Sequence, residues 1–264
     1  MDPYYKTLET IVVSKDNGVA TVTLNRPDSR NAISPRMHFE LSEIWPRISA
    51  DPEIDAIILT GAGKHFCVGA DVKGLDAGAF KNRGSMTTEA RLVVTTLLEV
   101  EQPIIAAING DAIGLAATIA LFCDITVASE TARIADPHVR IGLVAGDGGA
   151  VIWPHLIGPN RAKEFLMRGS MINGADAARI GLVNYAVPAG DVMKKANELA
   201  RELADGPRWA IRWTKVSVNK MLKDSVNLVL DTSLAFEEIS MKLPDHQEAT
   251  RAFVEKRKPV FNKD

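Results

Sequence analysis

Residues 103–124 constrain the fold of this chain more than any other stretch of its sequence. Residues 104–108 are apolar, rich in isoleucine and followed by the turn-forming pair Asn109-Gly110, which predicts a buried strand. Residues 115–123 carry no charge and favour a buried helix. A strand, a small-residue turn and a helix in this order place the free N–H groups of the first helical turn together. The stretch therefore predicts an α/β unit whose glycines either save space or let a ligand approach the backbone.

Strand-like segments alternate with helical segments up to about residue 190, and only helical segments follow. This order predicts an α/β fold with a core over residues 1–200 and a helical region over residues 201–264. The predicted strands cover residues 8–13, 19–24, 56–60, 104–108, 124–128, 133–135 and 183–187. The first predicted helix begins at residue 35. Five more helices are predicted at residues 87–101, 115–123, 150–157, 161–168 and 175–181. From residue 191 onward the pattern is helical, with breaks at residues 206–207 and 244. Residues 74–86 show no clear period and predict a loop with a short helix.

The composition excludes several classes of protein. The net charge is −2 without a sizeable basic block, so no nucleic-acid or membrane partner is expected. The N-terminus lacks the pattern of a signal peptide, and residues 112–123, the longest apolar run, are too short to span a bilayer. Cys67 and Cys123 form no close-spaced motif, which favours free thiols in a cytoplasmic protein. The five histidines show no paired spacing, so no metal site is expected.

Four motifs run over nearly the whole chain. They are Leu-Asn-Arg-Pro at residues 24–27 with Asn-Ala-Ile at residues 31–33, then residues 66–72, residues 107–125, and Ile-Gly-Leu-Val at residues 180–183. In these motifs and their spacing the chain resembles the crotonase (enoyl-CoA hydratase/isomerase) superfamily. The resemblance implies a spiral of ββα units whose C-terminal helices form a homotrimer or a dimer of trimers. It also implies an acyl-CoA substrate, in which coenzyme A belongs to the substrate and no separate cofactor is needed.

The resemblance assigns an oxyanion hole to two backbone N–H groups, those of Ala70 and Leu115. Such a fixed pair of donors stabilises the enolate oxygen that develops beside a thioester. The family usually has glycine where Leu115 stands. A backbone donor does not depend on its side chain, but the alternative remains that Leu115 simply packs and distorts the hole.

Two glutamates of the hydratase members correspond to Thr118 and His138 in this chain, with the twenty-residue spacing intact. Thr118 cannot act as a base near neutral pH, so it either positions water or substrate, or bonds a carbonyl of its own helix. His138 either acts as an acid or base or has a structural role.

The turn at residues 144–149 offers the best remaining carboxylate, Asp147, between glycines that suit a tight turn. Other superfamily members are similar in placing an essential aspartate on this turn. The alternative is an ordinary turn aspartate that faces water or caps the helix from Ala150. Asp136 is a weaker candidate.

The resemblance and local charge suggest contacts to coenzyme A at Arg30, Ala32, Ala70, Asp71 and Lys256. The cations near the C-terminus suit phosphate groups, although a solvated helix face is the alternative for each of them.

The resemblance implies an acyl-CoA-processing enzyme, an enoyl-CoA hydratase/isomerase that stabilises an enolate. Two alternatives stay open. One is isomerisation or thioester hydrolysis that uses Asp147, and the other is a non-catalytic acyl-CoA-binding trimer that has lost its chemistry with the glutamates.

Overall fold

The structure is a computed structural model, and it describes residues 3–71 and 86–261. In these residues the strands are β1 (Ile11–Asp16), β2 (Val19–Leu24), β3 (Ala56–Gly61), β4 (Ile104–Ile108), β5 (Ala112–Ile113), β6 (Ile125–Ser129), β7 (Arg133–Ala135), β8 (Ile172–Asn173) and β9 (Tyr185–Val187). The α-helices are α1 (Pro35–Ser49), α2 (Met86–Glu99), α3 (Leu115–Phe122), α4 (Gly149–Ile157), α5 (Pro159–Arg168), α6 (Gly174–Arg179), α7 (Val192–Ala204), α8 (Arg208–Ser240) and α9 (Pro244–Val254).

The main sheet has the strand order β1-β2-β3-β4-β6-β9. Strands β1 and β2 form an antiparallel hairpin, and the other neighbours in the sheet are parallel. The hairpin turns at Asn17 and Gly18, both with positive φ, as its sequence predicts. Every residue of β3 and β4 is buried, which is typical of parallel strands covered on both faces. The predicted α/β class is confirmed.

A second, small sheet has the order β5-β7-β8, with β5 and β7 parallel. The sequence predicted β7 with the observed bounds but neither β5 nor β8, which have two residues each. Strands this short carry no periodicity of their own, so only their partners define them. The small sheet matters for the site because β5 leads directly into α3.

Helix α3 is buried along its whole length, as its uncharged sequence predicts. Helix α1 begins at its N-cap Ser34, whose side chain accepts a hydrogen bond from the N–H of Met37. Pro46 lies inside this helix and does not end it, since the helix continues to Ser49. The prediction for residues 74–86 lies outside the described residues, except for Met86, where α2 begins.

Helix α8 belongs to the main core rather than lying beside it. Its Val226, Leu230 and Leu234 are buried in the core cluster, and the helix packs against α2 and α4. The division into a core over residues 1–200 and a helical region over residues 201–264 stays a prediction. In the part of the chain that the structure describes, every helix is too short or too polar to cross a membrane.

Candidate active site

Four segments that are distant in sequence meet around one histidine. They are the first turns of α3, the 3-10 helix His138–Ile141 after β7, the turn at residues 144–148 before α4, and the last third of α8. Small residues allow this close packing. An ideal Cβ on Gly148 would stand 2.9 Å from the Thr118 methyl group, and one on Gly146 would stand 2.6 Å from the carboxylate of Glu237.

His138 lies at the centre of the group with most of its side chain buried. Its Nδ1 is hydrogen-bonded to the carboxylate of Asp136, which lies two residues earlier in the chain. Its Nε2 lies 3.5 Å from Oδ2 of Asp147 and 3.8 Å from Oε1 of Glu237. Burial alone would lower the pKa of His138, but the three surrounding carboxyl groups raise it well above its ordinary value. The surrounding carboxyl groups therefore favour the protonated form of the imidazole.

Asp147 points inward from its turn with 4% of its surface exposed. Its Oδ1 accepts a hydrogen bond of 3.3 Å from the hydroxyl of Thr118. Burial raises its pKa to about 6, against the opposing effect of the His138 cation. The alternative for Asp147, a turn residue that faces water or caps a helix, is wrong, since the residue is buried and α4 has no side-chain cap. The alternative for Thr118 is wrong as well, because its hydroxyl bonds Asp147 and not its own helix.

Glu237 of α8 is the residue of this site that sequence reasoning missed. It is buried, and its Oε2 has no hydrogen-bond partner within the described part of the chain. Burial raises its pKa to about 8, with repulsion from Asp147 in the same direction and attraction to His138 against it. Ser233, Glu237 and Ser240 lie on one face of the helix, but their spacing alone does not indicate that this polar face is buried.

A second buried pair lies next to this group. Nδ1 of His38 on α1 is 2.7 Å from the carboxylate of Glu89 on α2. The charge of His38 lowers the pKa of Asp147, although less strongly than burial raises it. Sequence reasoning did not single out this pair either.

The predicted oxyanion hole uses the N–H groups of Ala70 and Leu115, and the structure places the segments that carry them side by side. Bridges of parallel type pair Cys67 with Ala112 and Ile33 with Ala70. The bonds of the second bridge use Gly69 O and the N–H of Asp71, so the N–H of Ala70 points away from Ile33. Leu115 is the first residue of α3, and its N–H therefore has no partner within the helix.

Gly69 and Gly114 make this approach possible. Gly69 has a φ of +88°, and an ideal Cβ on it would stand 2.9 Å from the carbonyl oxygen of Ile113. An ideal Cβ on Gly114 would stand 3.7 Å from Cε1 of His138, which places the imidazole beside the start of α3. The imidazole of His138 and the N–H of Leu115 thus both lie near the first residue of α3, and their roles in the reaction stay a prediction.

The predicted contacts to coenzyme A fall into two groups. Arg26 connects Ala32 and Asp71, since its guanidinium bonds the carbonyl of Ala32 and lies 3.1 Å from the carboxylate of Asp71. Arg30 is exposed and lies two residues before Ala32 in the chain. Because the next residue, Ile33, pairs with Ala70, the structure brings Ala70 to the same segment. Exposed Lys256 follows α9, away from that segment in the chain, and the neighbouring Arg257 is paired with Glu248. These contacts stay predictions.

Metal binding would use three residues of this same group, and thiol chemistry would use the two cysteines. The ligand atoms of Asp136, His138 and Asp147 lie within 4.8 Å of one another, a spacing that could also hold a metal ion. The expectation of no metal stays a prediction. Cys67 and Cys123 are free and buried, and burial raises the pKa of Cys67 to about 12, so neither thiol is a ready nucleophile.

Known proteins share both the sequence pattern and the fold. Residues 14–264 match the family model for enoyl-CoA hydratase/isomerase. A short-chain-enoyl-CoA hydratase from Clostridium acetobutylicum is 34% identical over 256 residues, which cover 95% of this chain and 97% of that protein. The 1,2-epoxyphenylacetyl-CoA isomerase of Escherichia coli K12 is 30% identical over 258 residues, which cover 96% of this chain and 98% of the isomerase.

A similar structure has been solved for an enoyl-CoA hydratase/isomerase from Mycobacterium paratuberculosis. It superposes with a TM-score of 0.87 at 33% sequence identity, over 93% of this chain and 99% of that one.

Proposed function

Since this chain belongs to the enoyl-CoA hydratase/isomerase family, we propose that it acts on an acyl-CoA thioester by moving a proton at the carbon beside the carbonyl. In this proposal Asp147 is the base and His138 is the proton donor. The observation that carries it is the contact of 3.5 Å between these two buried residues beside the first turn of α3.

The pKa values of the two residues divide their roles. Asp147, with a pKa of about 6, is ionised at neutral pH, whereas His138 keeps its proton there. The bond between the α-carbon and its hydrogen breaks, the proton passes to Asp147, and the electron pair moves to the thioester oxygen. The N–H groups of Ala70 and Leu115 would bind that enolate oxygen. His138 then gives its Nε2 proton to the substrate at a second atom.

Isomerisation uses this step in the direction written, and its second proton goes to the γ-carbon. Hydration uses the step in reverse, because water adds to the β-carbon and the α-carbon of the resulting enolate takes up a proton. In the family's efficient hydratases a pair of glutamates orients the water molecule and delivers a proton to the α-carbon. Thr118 and His138 occupy the positions of these glutamates here. We therefore expect slow hydration of crotonyl-CoA by this protein, far below the diffusion ceiling.

Exchange of the α-hydrogens of butyryl-CoA in deuterated water, followed by NMR, tests the proposal directly. Asp147→Asn keeps the shape of the side chain and removes the base, so we expect exchange to fall about a hundredfold or more. The affinity for butyryl-CoA, measured by calorimetry, should change little. Asp224→Asn makes the same chemical change at an exposed site on α8 and should leave both quantities unchanged.

Two outcomes would contradict the assignment. If Asp147→Asn exchanges at the full rate and His138→Ala abolishes exchange, the histidine is the base. If the wild type binds butyryl-CoA and crotonyl-CoA but neither exchanges hydrogen from one nor hydrates the other, the protein is an acyl-CoA-binding protein.

A further inference from the structure

We propose that Glu237 is a positioning residue of this centre, which supports proton transfer in its neutral form and slows it in its ionised form. The inference rests on the proposed function for its kinetic consequence, and its structural part can be tested separately. Glu237 would act through His138 and Asp147 rather than on the substrate itself.

The contacts of Glu237 favour a neutral carboxyl group. Only 5% of the residue is exposed, and its Oε2 has no hydrogen-bond partner among the described residues. The carboxyl group lies 3.8 Å from Nε2 of His138, which is beyond hydrogen-bonding distance. A buried carboxylate with an oxygen that accepts no hydrogen bond loses its hydration and gains little in return, so it tends to hold its proton.

The chain fixes Glu237 in this place by contacts one turn before it and one turn after it. The hydroxyl of Ser233 donates to the carbonyl of Gly146 at 2.8 Å, and the hydroxyl of Ser240 accepts from the N–H of Val144 at 3.2 Å. Both bonds join α8 to the turn that carries Asp147. A side chain on Gly146 would overlap the Glu237 carboxylate, so the turn is also shaped to receive it. These contacts hold the Glu237 carboxyl group against the turn that carries Asp147.

The charges around Glu237 come from several elements. His138, Asp136 and Asp147 face it, and the buried pair of His38 and Glu89 lies beyond Asp147. On its own helix Glu238 pairs with Lys242 at the exposed surface, and His246 of α9 is bonded to the carbonyl of Ile141. With Glu237 neutral, the central group holds one cation between two carboxylates. Ionisation of Glu237 would add a third negative charge to the same buried volume.

The sign of the effect follows from these charges. Above the pKa of Glu237, which is about 8, its negative charge holds the proton of His138 more tightly and raises the pKa of Asp147. A weaker donor and a less ionised base both slow the reaction. The rate should therefore rise with pH through the pKa of Asp147, near 6, and fall again through the pKa of Glu237.

Glu237→Gln tests the inference because glutamine has the shape of the neutral acid and cannot ionise. We expect hydrogen exchange from butyryl-CoA at neutral pH to stay within about threefold of the wild type, with an unchanged acidic limb. The alkaline limb should move upward by about one pH unit or more. Glu238→Gln, the same change on the exposed neighbour, should give the wild-type profile. A loss of about a hundredfold at neutral pH, or an alkaline limb that does not move, would overturn the inference.

The protonation of Glu237 can be measured without any turnover. Carbon-13 NMR of protein labelled at the glutamate carboxyl carbons identifies its signal as the one missing in Glu237→Gln. A titration midpoint near 8 supports the inference even if no CoA ester reacts, in which case the proposed function fails alone. A midpoint at the ordinary value for glutamate would overturn the inference even if Asp147 proves to be the base.

Discussion

At the scale of single residues, Gly149 shows how closely the acid–base group is packed. An ideal Cβ on this residue would stand 1.9 Å from Oδ2 of Asp136, the carboxylate that orients His138. Alanine at the start of a helix normally stabilises it, but here the methyl group must displace Asp136. We expect Gly149→Ala to lower the free energy of unfolding by about 1–3 kcal/mol.

The same variant should also slow hydrogen exchange from butyryl-CoA, because a displaced Asp136 no longer fixes the ring of His138. Thermal unfolding and the exchange assay measure the two effects. Gly190→Ala is the matched control, since an ideal Cβ there meets nothing within 4 Å. If Gly149→Ala unfolds at the temperature of the wild type and keeps its activity, Asp136 does not depend on this close approach.

The sequence led to part of this group and could not lead to the rest. Thr118, His138 and Asp147 were singled out because they lie in motifs that align with a known family, and the structure brings them together. Glu237 lies on a long helix whose sequence has no motif that points to the site. Its role depends on a tertiary contact with Gly146 and His138, and a local pattern cannot specify the partner of such a contact.

At the scale of elements, hydrogen bonds of two serines attach α8 to the turn at residues 144–148. The hydroxyl of Ser233 satisfies the carbonyl of Gly146, and both residues are buried. We expect Ser233→Ala to lower the free energy of unfolding by about 1–2 kcal/mol, because it leaves that carbonyl without its partner. It should also slow hydrogen exchange from butyryl-CoA, because the turn that carries Asp147 loses its hydrogen bond to α8.

Ser217→Ala is the control for this prediction. Ser217 lies on the same helix and is exposed, and its hydroxyl bonds the carbonyl of Trp213 within the helix. Its removal should change the unfolding temperature little. Equal effects of the two substitutions, measured by thermal unfolding, would show that the attachment of α8 to the turn contributes nothing specific.

The elements that the sequence predicted best are those whose pattern is set by burial. Strands β3 and β4 are continuous apolar runs because both faces of the parallel sheet are covered, and α3 lacks charge for the same reason. Strands β5 and β8 were missed because two residues cannot show a period. Pro46 removes one backbone donor from α1 but does not end the helix, which continues to Ser49.

At the scale of the whole molecule, α8 carries an exposed apolar stripe on the side away from the core. Its members lie at helical spacing on one face, and each is more than half exposed: Val218, Met221, Leu228, Phe236 and Ile239. Leu234 is buried in the chain's own core and Val229 packs against that core, so neither residue belongs to the stripe. The remaining stripe is long enough to be an interaction surface rather than scattered exposure.

We expect the stripe to be covered by further copies of the chain in a closed, cyclic assembly, a trimer or a dimer of trimers. Sedimentation velocity at micromolar concentration should then give a multiple of the 28.6 kDa chain mass. Replacing both Met221 and Leu228 by glutamate places charge at the centre of the stripe and should release monomers, because burying those charges without partners is costly. Val12→Glu introduces the same charge at an exposed apolar residue on β1, away from the stripe, and should leave the assembly intact. A wild-type chain that sediments as a monomer, or a double variant that assembles as well as the wild type, would show that this stripe does not hold the copies together.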